Sequence, residues 1–267
     1  MKLLRLTPAL KPTSSSYNQF SVGLKNSLDQ TVCSLNKIHN VKIYKQIKIF
    51  DANGSIIGLL SLIRKQIKNN NFNLIHIHNG LTGFIFLIAV LPFNFSLLNR
   101  TMITVHNSWN VFSLRNKLLT LIMFFFCKKV CLCSHSSKKS IPKLIQYFFH
   151  KKMHLIVNGF NYERIDSIRS IKIKDHYFST ISKIRLVYVA SLINTKNQIE
   201  LLKFLTNSSL DLDLIFIGDG NNKNFLIEYS KKIPKNINIQ FKGLLSREET
   251  IEHMLEADVS ISLSKGE

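Results

Sequence analysis

The sequence predicts an α/β protein made of two doubly wound parallel sheets, and three observations lead there. Apolar runs of four to eight residues alternate with amphipathic helical segments along nearly the whole chain, the pattern of a parallel sheet covered by helices. A polar stretch without a long apolar period, residues 161–183, separates two such series, so one domain is expected over 1–165 and a second over 184–267. The chain has 267 residues, is 45% hydrophobic and has a mean hydropathy of +0.07, which suffices for two cores.

The elements follow in order. LLRLT near the start reads as a weak first strand, KPTSSSYNQF as a loop and SVGLKNSLDQT as a first helix. VKIYKQIKIF reads as a strand, SIIGLLSLIRKQIK as an amphipathic helix, and NLIHIHNG as a strand with its exit loop. GLTGFIFLIAVL is a helix, TMITVHNSW a strand and loop, NKLLTLIMFFF a helix and KKVCLCS a strand. SSKKSIPKLIQYFF is a helix interrupted near Pro142, because proline lacks the N–H the helix needs, and KMHLIVNGF is the last strand of the first series. The second series is more regular: IRLVYVASL then INTKNQIELLKFL, LDLIFIGDG then NNKNFLIEYSKKI, INIQFKGLL then SREETIEHMLEA, and finally DVSISLSKGE. Such alternation argues for right-handed crossovers and ligands at the carboxyl ends of the strands.

Charge divides the chain unevenly. Residues 1–160 carry 21 Lys and Arg against two acids, Asp29 and Asp51, whereas residues 161–267 carry 15 basic and 14 acidic side chains. The net charge of +20 therefore belongs almost wholly to the first half, which is expected to face an anionic partner such as a membrane surface, a phosphorylated lipid or nucleic acid. The amino terminus lacks the long apolar run of a secretory signal. LTGFIFLIAVLPFNFSLL is interrupted by Pro92 and Asn94 and reads as a buried helix rather than a span. Cys33, Cys127, Cys131 and Cys133 lack the paired spacing of a zinc site and read as reduced, buried thiols, which suits the cytoplasm.

Several segments resemble the retaining glycosyltransferases of family 4. They are YVASL with Lys196 and Asn197, FIGDG at 216–220, FKGLLSREE at 241–249 and ADVSISLSKGE at the end; TMITVH and LIHIHNG add weaker matches in the first half. The resemblance implies the GT-B fold, two facing Rossmann-like domains, with the C-terminal one incomplete. It also implies transfer of a sugar from a nucleotide-sugar donor, with retention of configuration, to a membrane-associated, lipid-linked or polysaccharide-precursor acceptor. The family continues past the first glutamate of an E-x7-E motif to a second one, so a donor site ending at Glu267 is expected to turn over little by itself.

The same resemblance suggests roles for individual residues. Lys196, opening a helix after the first strand of the second domain, would neutralise the diphosphate. Ser191 stands where the family often has an arginine, which removes one fixed cation. Gly218, Asp219 and Gly220 form a strand-to-helix turn near the nucleotide, and Gly243 and Leu244 end a strand beside the base. Gly266 would allow close approach, and the Glu267 carboxylate would accept hydrogen bonds from sugar hydroxyls. His106, ending the strand TMITVH, would lie near the transferred sugar. On the acceptor side stand His78 and the hydroxyls of Ser15, Ser16 and Tyr17, in a loop where the family commonly has glycines. His76 and His78 alternate on one strand and so share a face; no acid or cysteine lies beside them in sequence to complete a metal site. Asp211-Leu212-Asp213 has D-x-D spacing but precedes its strand, at the edge opposite the exit loops, so no metal cofactor is expected. The implied place is cytoplasmic, peripheral on the inner membrane face, without nucleic acid as partner. A non-catalytic basic protein that binds an anionic membrane surface or nucleic acid remains the alternative reading of the charge.

Overall fold

The computed structural model describes residues 1–10, 28–38, 47–92, 94–157, 165–169 and 183–265. The chain divides into two compact units, residues 1–159 and 160–266.

The first unit holds a seven-stranded sheet of β1 (Lys2–Thr7), β2 (Asp29–Ser34), β3 (Ile47–Asp51), β4 (Leu74–Ile77), β5 (Thr101–Val105), β6 (Lys129–Leu132) and β7 (Met153–Leu155). Their order is β3-β2-β1-β4-β5-β6-β7 and every neighbouring pair is parallel. The helices are α1 (Ile56–Asn69), α2 (Gly80–Val90), α3 (Leu114–Phe126), α4 (His135–Ser140) and α5 (Lys143–Phe149). Local chemistry starts them: the side chains of Ser55, Asn79, Ser113 and Ser134 each accept a backbone N–H from the first turn of α1, α2, α3 and α4. One face of the sheet, with Leu4, Leu6, Ile75 and Ile77, packs with Phe86, Met123 and Phe124 into the main core. Strand alternation puts Arg5, His76, Thr104 and Cys131 on the other face.

Two expectations change here. LLRLT, expected as a weak strand, is an interior strand of the sheet, bonded on both sides by β2 and β4. Residues 29–31, expected at the end of a helix, open β2; residues 21–27 of that segment lie outside the described residues. DQTVCS lacks an apolar alternation, and its strand state comes from the two backbone ladders it makes with β1 and β3. The most apolar stretch forms α2, eight of whose eleven residues are buried, and among the described residues no helix is long and apolar enough to cross a membrane. Pro142 separates α4 from α5 as expected.

The second unit holds β8 (Ile184–Val189), α6 (Gln198–Leu205), β9 (Leu212–Ile217), α7 (Lys223–Ser230), β10 (Ile237–Gly243), α8 (Arg247–Glu256) and β11 (Val259–Ser260). Its four strands run parallel in the order β10-β9-β8-β11. The expected strand over DVSISLS is shorter, with only Val259 and Ser260 paired to β8. Tyr188, Phe216 and Phe241 line up through the core at ring separations of 5.8 and 5.0 Å. A capping box opens α8: Ser246 Oγ accepts Glu249 N–H at 3.2 Å and Glu249 Oε2 accepts Ser246 N–H at 2.8 Å. Both sheets are Rossmann-like, with strand order reversing beside the first strand of each unit.

Candidate functional site

In the second unit the strand order reverses at β8, and the described donor-side candidates sit where the chain leaves β8, β9 and β10. Backbone bonds tie three exit loops together: Ala190 N–H donates to Ile217 O at 3.0 Å, Gly218 N–H to Gly243 O at 2.8 Å, and Leu192 N–H to Asp219 O at 3.0 Å. These loops lie unusually close, and glycine makes that possible. Gly218 has φ +139°, and a Cβ there would stand 2.0 Å from Ala190 O; at Gly220 it would stand 2.5 Å from Leu192 O. Ser191, Gly218, Asp219, Gly220 and Gly243 are thus brought onto one platform. Leu244 follows it with 70% of its surface exposed.

Lys196 closes a short 3-10 turn, Asn194–Lys196, and is half-buried. Asn197 follows in the left-handed conformation, φ 58°, and its side chain makes no capping bond to α6. The first turn of α6 therefore starts without a side-chain cap, beside a lysine, which suits an anion. Two further ties fix this turn. Tyr188, fully buried, donates its hydroxyl proton to Lys196 O and accepts Leu263 N–H at 2.7 Å, while Lys265 N–H donates to Thr195 O at 2.8 Å. One phenol thus links the loop after β8 to the segment after β11. The sequence showed Tyr188 only as a strand aromatic; its role follows from strand order.

Lys223, at the start of α7, lies 3.7 Å from the Asp219 carboxylate, and its Nζ stands 3.9 Å from where a Gly243 Cβ would be. It brings a further cation to the platform. Asp211 pairs with Lys183 at 2.7 Å, and Asp213 accepts Asn238 Nδ2–H at 3.1 Å, both at the amino-terminal start of β9. The D-x-D pair is therefore at the opposite end of that strand from Gly218.

In the first unit, the exits of β4, β5 and β6 gather a polar cluster. His78 Nδ1 and His106 Nε2 stand 3.0 Å apart, Cys133 Sγ lies 3.5 Å from His106 Nδ1, and His76 Nε2 lies 2.7 Å from Thr104 Oγ1. The His76 and His78 rings are 4.1 Å apart, as expected for a shared face. Burial, with the Arg5 and His106 charges next, pushes the His76 imidazole down to about 3; burial also lowers His78 well below the usual range and lowers His106. These three imidazoles are neutral near pH 7. Both nitrogens of His106 have protein partners, so a hydrogen bond to a sugar there would replace one of them. Spacing had put no cysteine near the histidines, but the fold puts Cys133 against His106. Among the described residues no group of His, Cys, Asp and Glu has the geometry to hold a metal ion. All four cysteines are buried and outside any disulfide. Ser15, Ser16, Tyr17, Gly266 and Glu267 lie outside the described residues.

The comparisons with known proteins fit this architecture. A family model described as glycosyl transferases group 1 matches residues 172–267. No curated protein matches the sequence. Among solved structures, HepE of Anabaena in complex with UDP is similar over 100% of this chain and 75% of its own, at 16% identity and a TM-score of 0.72. The lipopolysaccharide outer core galactosyltransferase WaaB is similar over 99% of this chain and 74% of its own, at 14% identity and a TM-score of 0.66. Sucrose-phosphate synthase of Thermosynechococcus elongatus is similar over 99% of this chain and 76% of its own, at 12% identity and a TM-score of 0.69. The chain has the GT-B fold class of these proteins.

Proposed function

We propose that the protein is a glycosyltransferase of family 4 that moves a sugar from a nucleotide-diphosphate sugar to a lipid-linked or saccharide acceptor at a membrane surface, with retention of configuration. One observation carries the reading. Lys196, the uncapped start of α6 and the glycine-tied exit loops stand together at the strand-order reversal of the unit that the family model matches.

In this reading the diphosphate lies against Lys196 and the first amides of α6, with Lys223 beside the base-side loop at Gly243. As the bond from the sugar C1 to the diphosphate oxygen breaks, these cationic groups stabilise the leaving charge, and no metal cofactor is required. The acceptor oxygen bonds to C1 on the face the diphosphate leaves, and its proton passes to the departing phosphate oxygen. Positioning and preorganised charge supply the rate. Glu267 and Gly266 would orient the sugar, and the neutral His106 would stand near it. Ser15, Ser16 and Tyr17 would face the acceptor, with His78 holding His106. The protein would work in the cytoplasm on the inner face of the membrane, and nucleic acid is not its partner.

The test is calorimetric titration of the chain with UDP, ADP and GDP, which scores the donor platform without requiring turnover. One of the three should bind, and Lys196→Ala should weaken it about tenfold or more, roughly 1.4 kcal/mol. No binding by any of them, or equal binding by the variant, overturns the reading.

A further inference from the structure

The surface formed by α4 and α5 in the first unit is both apolar and strongly basic. α5 buries Phe149 and leaves Leu144, Tyr147 and Phe148 on the outside, 67%, 72% and 69% exposed. The Tyr147 and Phe148 rings touch edge to face at 5.8 Å. Lys138 near the end of α4, Lys143 at the start of α5 and Lys151 just after it are all exposed. Between them runs an open groove of about 440 Å³ lined by Lys138, Lys143, Gln146, Tyr147, His150 and Met153. The sequence supplies no local counter-charge, since no Asp or Glu occurs between Asp51 and Glu163.

We propose that this face docks the protein on a bilayer containing anionic lipid. Leu144, Tyr147 and Phe148 enter the headgroup layer, and a lipid phosphate sits in the groove between Lys138 and Lys143. Charge complementarity selects this occupant. An apolar cluster rimmed by lysine suits an interface where acyl chains meet anionic headgroups, and binding there grows with both buried apolar area and basic charge. A second copy fits poorly, because a two-fold contact would set the same lysines against each other. A nucleic acid would gain from the lysines but not from Leu144 and the edge-to-face rings, which offer no flat stacking platform. The inference names a surface for the membrane-associated acceptor proposed above. It is scored with vesicles and without nucleotide, so failure of one reading leaves the other standing.

The experiment is co-sedimentation of the full chain with phosphatidylcholine vesicles, with and without about one-third phosphatidylglycerol. The protein should bind only the anionic vesicles. Each lysine near such a surface is worth about fivefold, so Lys138→Ala/Lys143→Ala/Lys151→Ala should lose about a hundredfold. Tyr147→Ser/Phe148→Ser should lose about tenfold or more. Arg64→Ala/Lys65→Ala/Lys68→Ala on α1 removes the same charge from exposed positions elsewhere and should change binding less than about threefold. Every substituted side chain is exposed, so melting should be unchanged. Equal binding to neutral vesicles overturns the proposal, as does an equal loss in the α1 variant. A dimer that Tyr147→Ser/Phe148→Ser dissociates, without vesicle binding, assigns the face to a second copy and also overturns it.

Discussion

His78 Nδ1 and His106 Nε2 stand 3.0 Å apart, with their rings within 8° of parallel. Two neutral imidazoles at that distance share one proton, one nitrogen donating and the other accepting. A further proton at this contact would set two N–H groups against each other and put a cation into a buried site that already holds Arg5. The pair thereby couples the tautomer of His106 to that of His78, and Cys133 meets the other nitrogen of His106. Replacing His78 by Phe leaves His106 without that partner, so the loss should appear in how His106 is held rather than in the sheet core.

This cluster predicts a pH dependence. The folded-state values of His76, His78 and His106 lie below their ordinary 6.5, with His76 pushed down to about 3. Between about pH 6.5 and 3 the unfolded chain therefore binds more protons than the folded one, and stability falls as pH drops through that window. Each imidazole contributes up to ~1.4 kcal/mol per pH unit. Denaturant unfolding at pH 7.5, 6.5 and 5.5 should show a progressive loss; a flat profile would mean the imidazoles are not held neutral.

Gly218→Ala should damage the second unit. Its Cβ would collide with Ala190 O at 2.0 Å in a backbone conformation, φ +139°, that alanine avoids. The expected cost is ~2 kcal/mol or more, with loss of nucleotide binding. Gly54→Ala is the control: it also has positive φ, +84°, but meets nothing within 4 Å, and should cost only ~1 kcal/mol. Thermal unfolding of the two variants side by side decides the matter.

Tyr188→Phe keeps the ring and removes the hydroxyl that joins Lys196 O to Leu263 N–H. Leaving those backbone groups without that partner should cost about 1–3 kcal/mol. Because the tie fixes the Lys196 turn, nucleotide affinity should fall along with the melting temperature. An unchanged affinity in a destabilised variant would show that the tie serves the fold alone.

The thiols should be silent in the native state. Burial pushes Cys33 and Cys127 up to about 12 and raises Cys131, while Cys133 is 6% exposed. A thiol-exchange dye at pH 8 should find almost none before denaturation and all four cysteines after it.

Much of the fold was legible because local pattern and tertiary need agree. The alternation of apolar runs with helical segments gave β8 to α8 in order, and Pro142 divided α4 from α5. β2 was not legible. DQTVCS is polar and short, and it is a strand because β1 and β3 flank it. Arg5 was visible in LLRLT, but not as a cation buried beside His76.

By itself the sequence determined that the protein is α/β with parallel sheets, that its first half is strongly basic, that Lys196 and Gly218 follow strands and that Gly243 ends one. Only the tertiary structure decided which loops meet. Strand order places the exit of β8 beside that of β11, so Tyr188 can bridge residues 67 positions apart, Lys196 and Leu263. It also places the exits of β4, β5 and β6 side by side, which brings His78, His106 and Cys133 together. The physical reason is that side-chain pattern fixes a strand's faces and the hydrogen-bonded ladder fixes its neighbours, and only the first is written locally in the chain.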